Sequence, residues 1–286
     1  MEVKMQANPL ANQQSVLSPG RLALALVALL ALALPGAPVR ADDDPWPDIR
    51  RDVFDNREVI ENDGTISLDA PYRAEDAAVV PLTMRIPASI ARDVKSLTLV
   101  IDKNPAPVAA TFHFGEAAGS GERMLSTRVR IDMYSDVRAV IETNDGKLHM
   151  AAKFVKASGG CSAPASKDAD EALASLGKMQ IKTFDQAGAA DRSPQTREAQ
   201  VMIRHPNFTG MQMDQISREY TPAKFVQTLE VKRGGALVFR MDGGISISEN
   251  PNFRFTFGSG GDDTLEVTAK DTDGSVFTAT SAGKAT

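Results

Sequence analysis

Ser96-Leu97-Thr98-Leu99-Val100-Ile101 and Ala110-Thr111-Phe112-His113-Phe114 alternate side-chain character on either side of Asn104-Pro105. A period of two is that of a strand with one face in a core and the other in water. Leu97, Leu99 and Ile101 form one face; Ser96, Thr98 and Val100 form the other. The pattern returns at Val129, Ile131 and Met133, which alternate with Arg128, Arg130 and Asp132. It returns again at Leu148, Met150 and Ala152, after an Asp145-Gly146 turn with Val140 before it. Asp-Gly between two such runs is a strong hairpin signal.

From Lys156 to about Gly177 the alternation stops and the chain is rich in Ser, Gly, Ala and charge. Ser166 is placed to cap a short helix through Ala169, Ala172, Leu173 and Leu176, ended by Gly177. This segment reads as a linker. Beyond it, Val201 and Ile203, then Leu229 and Val231 with a Gly234-Gly235 turn to Leu237, Phe239 and Met241, alternate once more. Ile245 and Ile247 precede Asn250-Pro251, then come Phe253, Phe255 and Phe257, and finally Leu265, Val267 and Ala269. Short strands joined by Gly and Asp turns predict an all-β chain with two β-sandwiches in tandem. Asn104-Pro105 before Phe112 and Phe114 resembles Asn250-Pro251 before Phe253, Phe255 and Phe257, a faint echo between halves.

The first forty residues carry a different signal. Arg21 precedes an apolar run from Leu22 to Leu34, then Pro35-Gly36 and Val39-Arg40-Ala41. That is the layout of a secretory signal peptide, and the run is shorter than the roughly 20 residues of a spanning helix. Cleavage near Ala41 is expected, which places the mature protein in the periplasm. The predicted organisation is a signal peptide over 1–41, a sandwich over 42–160, an arm and linker over 161–178, and a second sandwich over 179–286.

The net charge is -5 and 42% of residues are hydrophobic. No basic stripe or aromatic interleaving suggests nucleic acid. No CxxC, HExxH or close His pair suggests a metal or cofactor site. Gly258-Ser259-Gly260-Gly261 leads into Asp262-Asp263 and a strand, so it reads as a hairpin loop and not a phosphate loop.

The chain has one cysteine, Cys161. A lone cysteine in an oxidising compartment cannot form an internal disulfide, so it is a free reactive thiol, an intermolecular partner, or a buried inert side chain. Ser158-Gly159-Gly160 before it and Ser162-Ala163-Pro164 after it offer little to pack. An exposed thiol on a flexible arm is expected from this context. Catalysis in place would need a positioned base, and none of His113, His149 and His205 is local. Carrying a covalently attached group fits better. His205-Pro206 and Gly210 shape a turn after a strand, with a structural or partner-docking role. Asn250-Pro251 is read in the same way.

Together these residues resemble the SoxY and SoxZ sulfur-carrier subunits of bacterial thiosulfate oxidation, joined in one chain. Leu99-Val100-Ile101-Asp102-Lys103-Asn104-Pro105-Ala106-Pro107 is similar to the SoxY core, and His149–Val155 running into Gly159-Gly160-Cys161 is similar to its end. Ile203-Arg204-His205-Pro206, Gly210, Pro222-Ala223-Lys224-Phe225 and Ser248-Glu249-Asn250-Pro251 are similar to SoxZ. The resemblance implies two immunoglobulin-like sandwiches and a cysteine that carries bound sulfur intermediates between periplasmic enzymes. Those partners would be a c-type cytochrome and a sulfur-oxidising dehydrogenase or, in related fused carriers, a quinoprotein dehydrogenase. It implies no turnover by the chain itself. At the arm the sequence differs, with Ser162-Ala163 where SoxY has two glycines. The rival reading is a scaffold module that docks to a quinoprotein dehydrogenase or cytochrome c without carrying anything.

Overall fold

Leu97, Leu99 and Ile101 face a common core with Phe112 and Leu125 from neighbouring strands. The structure is a computed structural model and describes residues 44–164, 174–184, 196–214, 217–260 and 264–281. The expected signal peptide lies outside these residues, as does most of the helix expected after Ser166.

In the first half, α1 (Trp46–Phe54) precedes β1 (Val59–Glu61), β2 (Ser67–Asp69), β3 (Val80–Ile86) and β4 (Val94–Ile101). These are followed by β5 (Val108–Phe114), β6 (Arg123–Val129), β7 (Ser135–Thr143) and β8 (Leu148–Val155). The second half contains β9 (Met179–Phe184), β10 (Thr196–Ile203), β11 (Val226–Arg233) and β12 (Ala236–Gly243). It ends with β13 (Asn252–Gly258), β14 (Leu265–Asp271) and β15 (Val276–Thr280). Period-two burial is plainest in β3, where Val80, Leu82, Met84 and Ile86 are buried, and in β14, where Leu265, Val267 and Ala269 are buried. The fold is all-β in its sheets, with two immunoglobulin-like sandwiches in tandem.

The two halves share both layers. One sheet runs β1-β8-β7-β4-β5-β12-β11-β14-β15, and the other runs β2-β3-β6-β13-β10-β9. The halves meet edge to edge twice. Antiparallel pairing of β5 with β12 sets Phe114 opposite Phe239 and Ala110 opposite Gly243. Pairing of β6 with β13 sets Leu125 opposite Phe255. Ring contacts then tie the layers together at the junction: Phe112 lies 5.8 Å from Phe239 and 6.1 Å from Phe253, and Phe239 lies 5.0 Å from Phe255. Each edge covers the other half's exposed backbone groups, so Pro45–Thr286 is one compact unit.

Four readings of the sequence need correction. Val100 does not face water: α1 covers that side of β4, β7 and β8, burying Trp46, Ile49 and Phe54 against Val100, Val140, Leu148 and Met150. β6 ends at Val129, and Met133 is exposed, because the backbone of Arg130, Ile131 and Asp132 bonds to other segments. Ile245 and Ile247 form no strand; Ile247 makes a single bridge to Val129 across the junction. The Asn-Pro echo joins unlike positions, since β5 lies in the nine-stranded sheet and β13 in the six-stranded one.

Candidate functional site

The chain leaves β8 at Val155 and stays hydrogen-bonded. The Lys156 N–H donates to Tyr72 O at 2.8 Å, and Ala74 N–H donates to Lys156 O at 3.1 Å. Gly159 N–H donates to Asp132 O at 2.8 Å, and Gly160 N–H to Ile131 O at 3.0 Å. Two glycines have two different jobs here. Gly159 sits at φ +77°, in the left-handed region that favours glycine. Gly160 is required by space, because a Cβ there would lie 2.1 Å from Ala77 O and 2.6 Å from Ile131 O.

Cys161 is therefore not the exposed thiol that its small neighbours predict. It is 0% exposed. Its N–H donates to Asp132 Oδ1 at 3.3 Å, and its carbonyl accepts from Thr209 Oγ1 at 2.7 Å. Arg130 Nη1 donates to Gly160 O at 3.1 Å. Ser158 and Ser162 remain at the surface, with Ser162 Oγ donating to Gly159 O at 3.3 Å. The second half reaches the cysteine's backbone through the Thr209 hydroxyl, and low side-chain bulk in the arm is what lets its backbone approach this closely. Burial, with Asp132 adding to it and Arg130 opposing, pushes the Cys161 thiol up to about 12. A docked thiol with that proton is a poor nucleophile, since the thiolate is the reacting form.

Residues that carried no site signal in the sequence build this environment. Asn104 Nδ2 donates to Arg130 O at 2.8 Å and to Ser246 Oγ at 2.9 Å, while its Oδ1 accepts from Asp132 N–H at 2.9 Å. Asn104 thereby holds the segment on which the arm docks. Thr209 N–H donates to Gln212 Oε1 at 2.8 Å. Arg130 and Asp132 sit on the side of the alternation expected to face water, yet Arg130 is fully buried and its backbone N–H donates to Ser246 O of the second half.

The SoxZ-like turn residues frame the Thr209 loop. His205 is buried: its Nδ1 accepts from Asn207 N–H at 3.1 Å, and its Nε2 lies 3.6 Å from Asp271 Oδ2. Burial holds His205 below its ordinary value, against the opposing pull of Asp271. Asn250, at φ +47°, donates its N–H to His205 O at 2.7 Å, and Pro251 O accepts from Ile203 N–H at 2.9 Å. Pro206 is buried, and Gly210, at φ +87°, sits beside Ala223 in the turn next to Thr209. Gly210 thus lies on the loop that reaches Cys161, while His205 and Asn250 brace it from behind. His149 pairs with Asp63 at 2.6 Å and His113 with Asp242 at 3.4 Å.

Fold and site define a two-sandwich β-protein whose single thiol is sheltered where the halves meet. The family model "Sulfur oxidation protein SoxY" matches residues 50–161, and "Sulphur oxidation protein SoxZ" matches residues 186–282. The chain belongs to these families, carrying both in tandem, and is a fused SoxYZ-like sulfur carrier. Among solved structures, the sulfur carrier protein SoxY from Chlorobium limicola f thiosulfatophilum matches at 23% identity and a TM-score of 0.33. That match covers 39% of this chain and 94% of that one. No curated protein matches. Among the described residues, no helix is long and apolar enough to cross a membrane.

Proposed function

We propose that the protein works in the periplasm, holds a sulfur-containing group covalently on Cys161 and presents it to redox enzymes, without turnover of its own. The observation that carries this reading is the position of the only cysteine. It ends the SoxY match, on a Gly159-Gly160 segment docked mainly by backbone hydrogen bonds. Bonds of that kind contribute about 1 kcal/mol each, so a docking partner can offset their loss. Release returns the thiol to water and to a lower pKa, where it reacts.

Loading on the released arm forms one S–S bond between Sγ and a deprotonated sulfur donor. The thiol proton goes to solvent, and two electrons pass to a c-type cytochrome. A sulfur-oxidising or quinoprotein dehydrogenase is the partner class that would process the cargo. Redocking then shelters the group between the halves. Ser158, Gly159, Gly160 and Ser162 supply the reach, and the arm enters a partner as a loop.

Full burial of the thiol favours a second reading, in which the sandwiches are a scaffold for such an enzyme and Cys161 is inert. Thiol labelling separates the two. A carrier takes a thiol reagent in its native state at a rate that rises when a docking bond is removed. A scaffold takes it only at the rate of global unfolding.

A further inference from the structure

At the end of β6 away from the arm lies a cavity of about 520 Å3, lined among others by Val94, Phe114, Gly119 and Arg123. Arg123 opens β6 and Arg130 follows its last residue, so seven steps of extended chain, roughly 23 Å, separate the two. Arg123 is 5% exposed, and its guanidinium sits 4.2 Å from the centre of the Phe114 ring. Nη1 donates to Val94 O at 3.3 Å and Nη2 to Gly119 O at 3.4 Å, both long for hydrogen bonds. Nε is buried with no partner, and among the described residues no carboxylate pairs with this side chain. Burial lowers the Arg123 guanidinium to about 10, so it remains a cation at neutral pH.

The rest of the lining adds to that charge. Arg92 and Lys95 are exposed at the cavity, and Lys95 Nζ lies 3.3 Å from Glu142, a carboxylate outside the lining that Arg57 also approaches at 3.5 Å. Within the lining, three cations face one carboxylate, the exposed Glu116. The walls are fixed by the fold. Asn144 N–H donates to Asp93 O at 2.7 Å, and Gly115 N–H donates to Val238 O of the second half at 3.0 Å. Gly119, at φ +80°, packs against Gly258 of the second half, a position that a side chain would not allow. The cavity is therefore preformed, as small-molecule sites commonly are.

We infer that this cavity binds a small anionic molecule through a carboxylate or phosphate head group, with Arg123 meeting the head group and Arg92 and Lys95 drawing it in. A guanidinium stacked on a ring keeps its N–H edge free in its own plane, and that edge matches carboxylate and phosphate oxygens. An acidic face of a partner protein would meet the exposed Arg92 and Lys95 but would not reach the sunken Arg123. A small anion supplies the charge that the surroundings of Arg123 lack. The site lies far from Cys161 and uses none of the arm.

Titration of the whole protein with inorganic phosphate and, separately, with malonate tests the site, at pH 7 and with ionic strength held constant by chloride. Amide resonances report where each anion binds. Saturable shifts at Gly115, Gly119 and Ser120 are expected with at least one of the two, and the tighter anion identifies the head group. Arg123→Met is expected to weaken that binding about tenfold. Arg92→Glu, a change at an exposed position, is expected to weaken it about threefold. Cys161→Ser is expected to bind as the wild type does. Should Arg123→Met not fold, Arg92→Glu decides in its place. Saturation by neither anion, shifts confined to other parts of the chain, or wild-type affinity in the folded arginine variants overturns the site. Loss of binding in Cys161→Ser also overturns it, since that result would move the anion to the arm.

Discussion

Arg138 and Arg130 are buried arginines of the same half, eight residues apart, and they are treated in opposite ways. Arg138 Nε lies 2.9 Å from both Asp102 oxygens, its Nη2 donates to Oδ2 at 2.7 Å, and its guanidinium stacks 4.3 Å from the Trp46 ring. That cation is fully matched, and it ties α1 to the sheet. Among the described residues Arg130 has one carbonyl and no carboxylate partner. A matched buried charge is what a stable fold tolerates; the unmatched one is held against the arm through the Gly160 carbonyl alone.

Substitution should separate the two most strongly in stability. Arg138→Met leaves Asp102 buried with its main partner gone, and a loss of about 3–5 kcal/mol is expected in denaturant unfolding. Arg130→Met strands only the Gly160 carbonyl and removes a buried cation, so stability is expected to be unchanged or higher, by up to about 1–4 kcal/mol. Similar large losses in both would break the comparison.

The next largest effect is on the arm. Gly160→Ala places a Cβ 2.1 Å from Ala77 O, which the docked arm cannot accept. Labelling of Cys161 at neutral pH should rise by roughly a hundredfold, with the global melting transition retained. Labelling that stays slow would mean that docking does not control the thiol.

How far the sequence foretold this site follows from what each feature depends on. Alternation at Leu97–Ile101 and Leu265–Ala269 reports local geometry, so the strands and the all-β class were legible. The pairing of β5 with β12 joins residues far apart in the chain, and no local pattern encodes it. Arg130 reads as a surface residue, and Cys161 as an exposed one, because the contacts that dock the arm, to Asp132 and Ile131 and from Thr209, join residues from 27 (Gly159 to Asp132) to 48 (Cys161 to Thr209) positions apart. α1 escaped notice because it is nine residues long and its apolar positions only make sense against Val100 and Val140. Gly159-Gly160 reads as freedom in the sequence, whereas Gly160 serves close approach in the structure.

A pH dependence sharpens the contrast between docked and released arm. The docked thiol titrates at about 12, above its ordinary 9.0. The released or unfolded state therefore loses its proton first as pH rises. The stabilisation from docking is complete below pH 9 and is lost between 9 and 12. Cys161→Ser should remove that alkaline component of the stability curve. His205 acts at the other end: its lowered value means that the unfolded state binds the proton first, so stability falls as pH drops below 6.5.

The smallest predicted effect is that of Thr209→Val, which removes the one hydroxyl that the second half gives to the Cys161 carbonyl. A labelling increase of about fivefold is expected, since a single neutral hydrogen bond contributes about 1 kcal/mol.

The central claim is that Cys161 is the covalent carrier, and intact-mass analysis of the protein taken from its native compartment tests it most directly. The account predicts a sulfur-containing mass addition that reductant removes, that maps to the peptide holding Cys161 and that is absent from Cys161→Ser. A wild-type protein that is unmodified throughout active sulfur or alcohol metabolism would contradict it.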